Sequence, residues 1–344
     1  MTQAQWEVLV KIVNGKEPQE PQTAFIIDSP WLPGWSGVST LDYYTSDDVW
    51  FNANIKAMET FPETIFIPGF WSEYGMCTEP SAFGSKLVWA PDNLPHADKI
   101  IHETSDVLSI QKPNVKTDGL LPFMINRLAR NKQRIEGAGH KIRFAISRGP
   151  LNIASFLMGT TEFMMAIITD RDKMHTFLRT ITDFILDWIS YQKEMFKDID
   201  GILILDDIVG FIGEEDFKEL ALPYLKEIFN HYETEVRLFH NDAPGLVCAP
   251  FLKEAGVNLF NFGFEHPMAE MKELVGKSVS LLGNIPPRDV LAQGTIDDVR
   301  QSVYDVMNSV KEKSGVIWSC GGGMPQDVST ENIKAFIEAV QKSG

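Results

Sequence analysis

The chain has 344 residues, enough to bury a large core without disulfide bonds or structural metals. Acidic residues outnumber basic ones by 47 to 31, and the net charge of −16 disfavours nucleic acid and membrane surfaces as partners. The three cysteines are widely spaced, the first residues show no signal-peptide pattern, and no uninterrupted apolar run in the sequence reaches about 18 residues. These features favour a cytoplasmic protein.

Short β-rich runs alternate with amphipathic helical patterns, which is typical of a parallel sheet covered by helices. The predicted strands are 24–28, 64–68, 107–110, 142–147, 201–206, 236–240, 257–261, 279–282 and 316–319. The predicted later helices are 172–197, 214–233, 295–313 and 330–342. Nine strands are one too many for an eight-stranded barrel, so 24–28 or 107–110 is expected to be a hairpin or edge element. The sequence predicts an α/β fold, a single TIM (β/α)8 barrel over 61–344 with an N-terminal helical extension over 1–60.

Polar residues follow the predicted strands at their C-terminal ends, where (β/α)8 barrels carry their reactive groups. These residues are Glu73, Arg148, Asp206, Asp207, His240, Asp242, Asn284 and Cys320. Their recurrence at one end of several strands predicts a functional site there.

His240 and Asp242 stand two apart, so a strand would direct both side chains to the same face. With Cys320 they form a plausible catalytic zinc set of imidazole, carboxylate and thiolate. The alternative is a core histidine, a loop aspartate and a small buried cysteine. Asp206 and Asp207 alternate in direction, so at most one of them points into the barrel.

Glu73 lies in an aromatic loop that contains glycine, and it is either an acid, base or fourth metal ligand or a surface carboxylate. Six of the eight tryptophans precede Arg127, the first arginine of the chain. Aromatic walls with few cations suit a flat, weakly charged ligand. Some of these tryptophans are instead expected to pack the extension onto the barrel.

Two segments resemble the C-terminal third of the uroporphyrinogen decarboxylase superfamily: LGNIPPRDVLAQGT at 282–295 and VIWSCGGGMP at 316–325. The runs RGPLN at 148–152, LDDI at 205–208 and FHND at 239–242 are similar to that superfamily's middle strand ends. The likeness spans roughly Pro62 to the C-terminus and implies a (β/α)8 barrel.

The superfamily contains heme-pathway decarboxylases and zinc-dependent methyltransferases that act with corrinoid proteins. Decarboxylases carry an Arg-Gln-Ala-Gly-Arg signature in an N-terminal region that here holds no arginine. Methyltransferases typically have His-x-Cys and a distant Cys; His240 and Cys320 match, whereas Asp242 replaces the first Cys. A carboxylate makes the zinc harder and suits an oxygen or nitrogen substrate better than a thiol.

The resemblance therefore implies a methyltransferase that moves a methyl group from an aromatic methyl ether to Co(I) of a corrinoid protein. Zinc would be held by His240, Asp242 and Cys320, with Glu73 or Asp206 completing the metal shell or protonating the leaving phenolate. The residues expected to bind the substrate are Trp31, Trp35, Trp71, Arg148, Phe262 and Asn284. The alternatives are methyl transfer from methylated corrinoid to coenzyme M or tetrahydrofolate, a decarboxylase, and a ligand-binding barrel without activity.

Overall fold

Eight parallel strands form a (β/α)8 barrel in a computed structural model that describes residues 1–16 and 18–343. The strands are Ala24–Ile26 (β1), Ile65–Ile67 (β2), Phe144–Arg148 (β3), Gly201–Leu205 (β4), Val236–Asn241 (β5), Leu259–Phe262 (β6), Ser280–Ile285 (β7) and Val316–Cys320 (β8). The predicted TIM barrel is confirmed. The surplus ninth strand is 107–110, which lies within a 3-10 helix, Thr104–Ser109, and at its C-cap.

The helices cover the barrel and its insertions. They are Gln3–Val13 (α1), Leu32–Ser36 (α2), Thr40–Thr45 (α3), Asp47–Thr60 (α4), Thr78–Ala82 (α5), Leu121–Gly137 (α6), Pro150–Met158 (α7), Thr160–Thr169 (α8), Arg171–Met195 (α9), Glu214–Asp216 (α10), Leu222–Asn230 (α11), Leu252–Ala255 (α12), Met268–Val275 (α13), Ile296–Ser309 (α14) and Thr330–Lys342 (α15). A short antiparallel hairpin pairs Leu87–Val88 with His96–Ala97.

The predicted boundary between extension and barrel at residue 60 differs from the observed fold. β1 lies within the first 60 residues, pairs with β2, and is joined to β8 by a bridge from Thr23 to Trp318. The first barrel strand is only three residues long, so its alternation is too short to distinguish it from an edge element. Among the described residues, the helical extension before β1 is α1.

Helix α1 closes the N-terminal end of the barrel. Thr2 and Gln5 form a capping box at its start, and the buried side chains Trp6, Leu9 and Ile12 belong to the same apolar cluster as the barrel interior. Trp6 meets the Phe144 ring edge-on at 5.5 Å. Because the interior is filled from below, the open end of the barrel is the end at which the strands terminate.

The barrel has a seam between β2 and β3, where the described residues form no backbone ladder. Side chains pair with the β3 edge instead. The Gln192 amide accepts from Ile146 N at 3.0 Å and donates to Ile146 O at 2.9 Å. Glu79 Oε1 accepts from Arg148 N at 2.9 Å. These contacts satisfy backbone groups that a neighbouring strand would otherwise pair.

Within residues 1–16 and 18–343, no single helix has both the length and the apolar composition of a membrane span. Helices α7 and α8 meet that test only as a pair, across a bend of 110°.

Candidate functional site

A cavity of about 580 Å³ opens where the barrel strands end, and we call it the barrel cavity. Asp28 follows β1, Arg148 ends β3, Asp207 follows β4, and His240 lies near the end of β5. Glu73 and the glycine-rich loop after β8 complete its wall. The position is the one at which barrels of this class carry their reactive groups.

Strand alternation decides which side chains reach this cavity. Leu203 and Leu205 of β4 belong to the interior cluster, so the period of two continues to Asp207 and directs Asp206 outward. The same period in β5 takes Leu238 to His240. The barrel cavity is therefore lined by residues that continue the inward-facing rows of side chains at the C-terminal ends of the strands.

Three side chains in the barrel cavity form a candidate metal site. One ligand atom from each of Asp207, His240 and Asp242 lies within 4.8 Å of the other two. His240 Nε2 is 3.8 Å from Asp207 Oδ1 and 3.9 Å from Asp242 Oδ2. These separations are slightly wider than the roughly 3.4 Å between tetrahedral ligands with bonds of about 2.1 Å, so small side-chain adjustments would close the set on a zinc ion.

The second ring nitrogen of His240 is fixed by Asn261. The Asn261 amide donates to Leu282 O at 2.9 Å, which leaves Asn261 Oδ1 to accept from His240 Nδ1 at 2.7 Å. With the proton on Nδ1, the lone pair of Nε2 is free to bind a metal ion. Sequence reasoning missed Asn261 and chose Asp206 over Asp207; continuing the apolar alternation of each strand would have found both.

Asp242 is held between Asp207 and the glycine-rich loop. Its backbone N–H donates to Asp207 Oδ1 at 3.1 Å, and burial raises the pKa of its carboxyl group, against the opposing influence of His240. Gly322 has φ +81°, and a Cβ there would lie 2.6 Å from the Asp242 Cβ. Gly322 is therefore required by both its backbone conformation and this close approach.

Glu73 lines the barrel cavity and is 2% exposed. Its carboxylate accepts from Ser29 N at 3.0 Å and from Gly75 N, so backbone amides fix its position. Asp28 lies on the same wall, and burial together with the neighbouring Glu73 raises the pKa of Asp28 well above its usual range.

Asp206 lies outside the cavity and has a structural setting. Its two oxygens accept from Leu151 N and Asn152 N, at 2.9 and 3.0 Å, in the first turn of α7. It thereby satisfies donors that the start of a helix leaves unpaired. Burial raises the pKa of Asp206 well above its usual range, opposed by these hydrogen bonds.

Cys320 ends β8 but is fully buried and does not line the barrel cavity. Its Sγ faces the carbonyl oxygens of Gly322 and Gly323, at 3.7 and 3.8 Å, and burial raises the pKa of the thiol to about 12. Of the three residues of the predicted zinc set, the structure brings together His240 and Asp242, and it adds Asp207 in the place expected for Cys320.

The residues predicted to bind substrate are divided between the cavity and the surrounding layers. Arg148 lines the cavity, and its guanidinium lies 5.9 Å from the buried Trp71 ring. Trp31 and Trp35 pack on each other with ring planes tilted by 31°, and their indole N–H groups donate to Val328 O and Thr330 Oγ1, away from the cavity.

Phe262 and Asn284, which were also predicted to bind substrate, have structural contacts instead. Phe262 is fully buried against Phe260, and Phe264, two residues later, lines the cavity instead. The Asn284 amide donates to Gly263 O and His266 O, at 3.4 and 2.7 Å, and so supports the loop after β6.

Acidic side chains outnumber basic ones in the lining of the barrel cavity. Five carboxyl groups face two arginines, namely Asp28, Glu73, Asp207, Asp242 and Asp289 against Arg148 and Arg288. Such a lining attracts a cation and repels a ligand with many carboxylates.

The fold and the site define a (β/α)8 barrel with a candidate metal centre at the C-terminal ends of its strands. The family model described as uroporphyrinogen decarboxylase (URO-D) matches residues 35–343, and the chain belongs to that family. A uroporphyrinogen decarboxylase from Psychromonas ingrahamii is 25% identical over 278 residues, 77% of this chain and 76% of the relative. A methylated-thiol–coenzyme M methyltransferase from Methanosarcina mazei is 22% identical over 275 residues, 79% of this chain and 71% of the relative.

Among solved structures, a methyltransferase from Methanosarcina mazei shares the fold, with a TM-score of 0.81, 15% identity and coverage of 97% of both chains. A B12-independent methionine synthase from Shewanella sp. gives a TM-score of 0.55 at 10% identity, over 94% of this chain and 98% of that one. The chain thus shares its barrel fold with a methyltransferase of known structure.

Proposed function

We propose that the chain is a zinc-dependent methyltransferase that moves a methyl group from an aromatic methyl ether to Co(I) of a separate corrinoid protein. The observation that carries the proposal is the cluster of Asp207, His240 and Asp242 in an acidic cavity at the open end of a methyltransferase-like barrel. Two carboxylates and one imidazole form a harder donor set than thiolates, which favours an oxygen leaving group.

A zinc ion held by these residues would supply Lewis-acid stabilisation of the negative charge that develops on the phenolate. The bond between the methyl carbon and the ether oxygen breaks, a bond from the methyl carbon to cobalt forms, and the phenolate takes up a proton. Asn261 keeps the His240 ring in one tautomer. Glu73, fixed by two backbone amides, is the group we assign to hand on the proton.

The opposite direction, methyl transfer from methylated corrinoid to a thiol such as coenzyme M, is supported by the name of the Methanosarcina mazei relative. It would gain from a thiolate-rich site, whereas Cys320 lies behind the glycine-rich loop and outside the cluster. A decarboxylase acting on a tetrapyrrole with several carboxylates is disfavoured by the five carboxyl groups of the cavity.

The test is the zinc content of the purified wild type beside His240→Ala, with His231→Ala as the matched control, because His231 is exposed and outside the barrel cavity. We expect about one zinc per chain in the wild type and His231→Ala, and little in His240→Ala. Turnover is then measured as phenol released from an aromatic methyl ether in the presence of reduced corrinoid protein. His240→Ala should lower the rate at least about 100-fold. Zinc-free wild type with full activity would overturn the metal assignment, and turnover only with methylated corrinoid and a thiol would reverse the direction.

A further inference from the structure

A second cavity, also about 580 Å³, lies beside the barrel cavity. We call it the aromatic–arginine pocket, defined by Tyr44, Tyr74, Trp89, Phe123, Arg127 and Arg130. It is formed by α3, the loop after β2, the hairpin and α6. The wall between the two cavities is thin, because Tyr74 lines this pocket while the next residue, Gly75, lines the barrel cavity.

The pocket has aromatic walls with exposed faces. Tyr44, Tyr74 and Trp89 pack on one another with ring centroids 5.4 to 6.1 Å apart. Trp89 is 39% exposed and Phe123 is 60% exposed, although both carry large apolar surfaces. Exposed aromatic surface grouped around a concave pocket is typical of a ligand site rather than of the packing of a core.

The cations of the pocket are incompletely paired. Arg127 is 4% exposed; its Nη2 donates to Tyr44 O, and its Nε lies 3.4 Å from Asp47 Oδ1. Within the part of the chain that the structure describes, Arg127 Nη1 has no hydrogen-bond partner. An unpaired buried donor is unfavourable, so a ligand acceptor that reached Nη1 after a small side-chain shift would stabilise this arrangement.

Arg130 stands at the mouth of the same pocket. Its side chain is 77% exposed, and its Nη1 is 3.7 Å from Asp47 Oδ2, which is longer than a hydrogen bond. Two guanidinium groups therefore share one carboxylate, Asp47. The pocket has a local positive excess in a chain whose net charge is −16.

We infer that the aromatic–arginine pocket binds a flat aromatic ring that carries a carboxylate. The ring would lie against Trp89, Tyr74 and Phe123, and the carboxylate would pair with Arg130 in front of Arg127. A planar guanidinium is suited to two parallel hydrogen bonds with a carboxylate, and the volume suits a ligand of one or two rings. This inference is independent of the metal chemistry proposed for the barrel cavity.

The test uses 2-naphthoate as the probe in isothermal titration of the full chain, with 2-naphthamide as the neutral analogue. We expect saturable binding of 2-naphthoate and binding of the amide at least about tenfold weaker, because the amide lacks the charge that Arg130 pairs. Arg130→Gln should weaken 2-naphthoate binding about tenfold or more, and Trp89→Ala should weaken it as well.

Two further variants locate the site. Arg134→Gln is the matched control, because Arg134 lies on the same helix but is paired with Asp48 at 2.7 Å and lies outside the pocket. Arg288→Gln alters the barrel cavity instead. Both should leave 2-naphthoate affinity within about twofold. Absence of saturable binding, equal binding of the amide, or loss of binding in Arg288→Gln but not in Arg130→Gln would overturn the inference. Circular dichroism of each variant is the control for folding.

Discussion

The barrel cavity and the aromatic–arginine pocket have the same volume, about 580 Å³, and opposite character. The first is lined by five carboxyl groups, two arginines and a histidine, the second by aromatic rings, two arginines and the single carboxyl group of Asp47. They share a wall in which the Tyr44 hydroxyl donates to Ser29 Oγ at 2.6 Å, and Ser29 lines the barrel cavity. Volume alone therefore does not indicate the ligand; the charges and faces that line each space do.

The largest effect is expected from substituting Asp207, the one of two adjacent aspartates that lines the barrel cavity. Asp207→Ala should lower zinc affinity at least about 100-fold while the protein stays folded, because it removes one member of the proposed ligand set. The measurement is a zinc titration against a competing chelator.

Asp206→Ala is the matched control, with a different expected defect. It leaves two N–H groups at the start of α7 without their acceptor, which should lower the free energy of unfolding by about 2 kcal/mol and leave zinc affinity nearly unchanged. Denaturant unfolding measures the first quantity. If Asp206→Ala abolished zinc binding and Asp207→Ala did not, the assignment of the two side chains would be reversed.

An intermediate effect is expected in the glycine-rich loop. Gly322→Ala should lower zinc affinity about 10- to 100-fold, because its Cβ would lie 2.6 Å from the Asp242 Cβ and displace that carboxylate. Gly323→Ala is the control, since its Cβ would meet Asp28 Oδ2 at 3.4 Å and its φ lies outside the left-handed region. Equal zinc affinity in both variants would show that Asp242 is not held in place by the loop.

The smallest expected effect is a difference between the two cavities in how ligand affinity depends on salt concentration. Raising ionic strength from about 0.01 to 0.5 M should weaken 2-naphthoate binding by a few-fold, because Arg130 is exposed and screened. Zinc affinity should change less, because short coordination bonds depend less on ionic screening than an exposed ion pair does. Titrations at several salt concentrations compare the two directly, and identical salt dependence would contradict the pairing of 2-naphthoate with the exposed Arg130.

The sequence was most informative where alternation runs through long strands. Seven of the nine predicted strands lie in the barrel from β2 onward, and His240, Asp242, Glu73 and Arg148 line the cavity as expected. Predictions that depended on a single position were weaker. Asp206 and Asp207 have the same chemistry, and only the inward row of Leu203 and Leu205 shows which one enters the cavity.

Trp31, Trp35 and Cys320 illustrate a second limit of prediction from the sequence. Trp31 and Trp35 occur in a loop-like sequence, yet their rings pack beneath the C-terminal segment, which lies almost 300 residues away along the chain. Cys320 ends a strand, but the loop after it turns so that Gly321 and Gly323 line the cavity instead. Neither contact has a local signature, because each depends on which distant segments meet.

Because of the seam between β2 and β3, the described residues join the β1–β2 pair to the six-stranded sheet by a backbone bridge on one side only, between Thr23 and Trp318. Asp28 and Glu73 follow the β1–β2 pair, whereas His240 lies in the six-stranded sheet and Asp207 and Asp242 follow its strands. At the seam the β3 edge is paired by side-chain hydrogen bonds with Gln192 and Glu79, which open at lower cost than a continuous ladder. We therefore expect the amides of Ile146 and Arg148 to exchange with deuterium sooner than those of β4, and each opening to widen the space between Asp28 and Glu73 on one side of the cavity and the candidate metal site on the other.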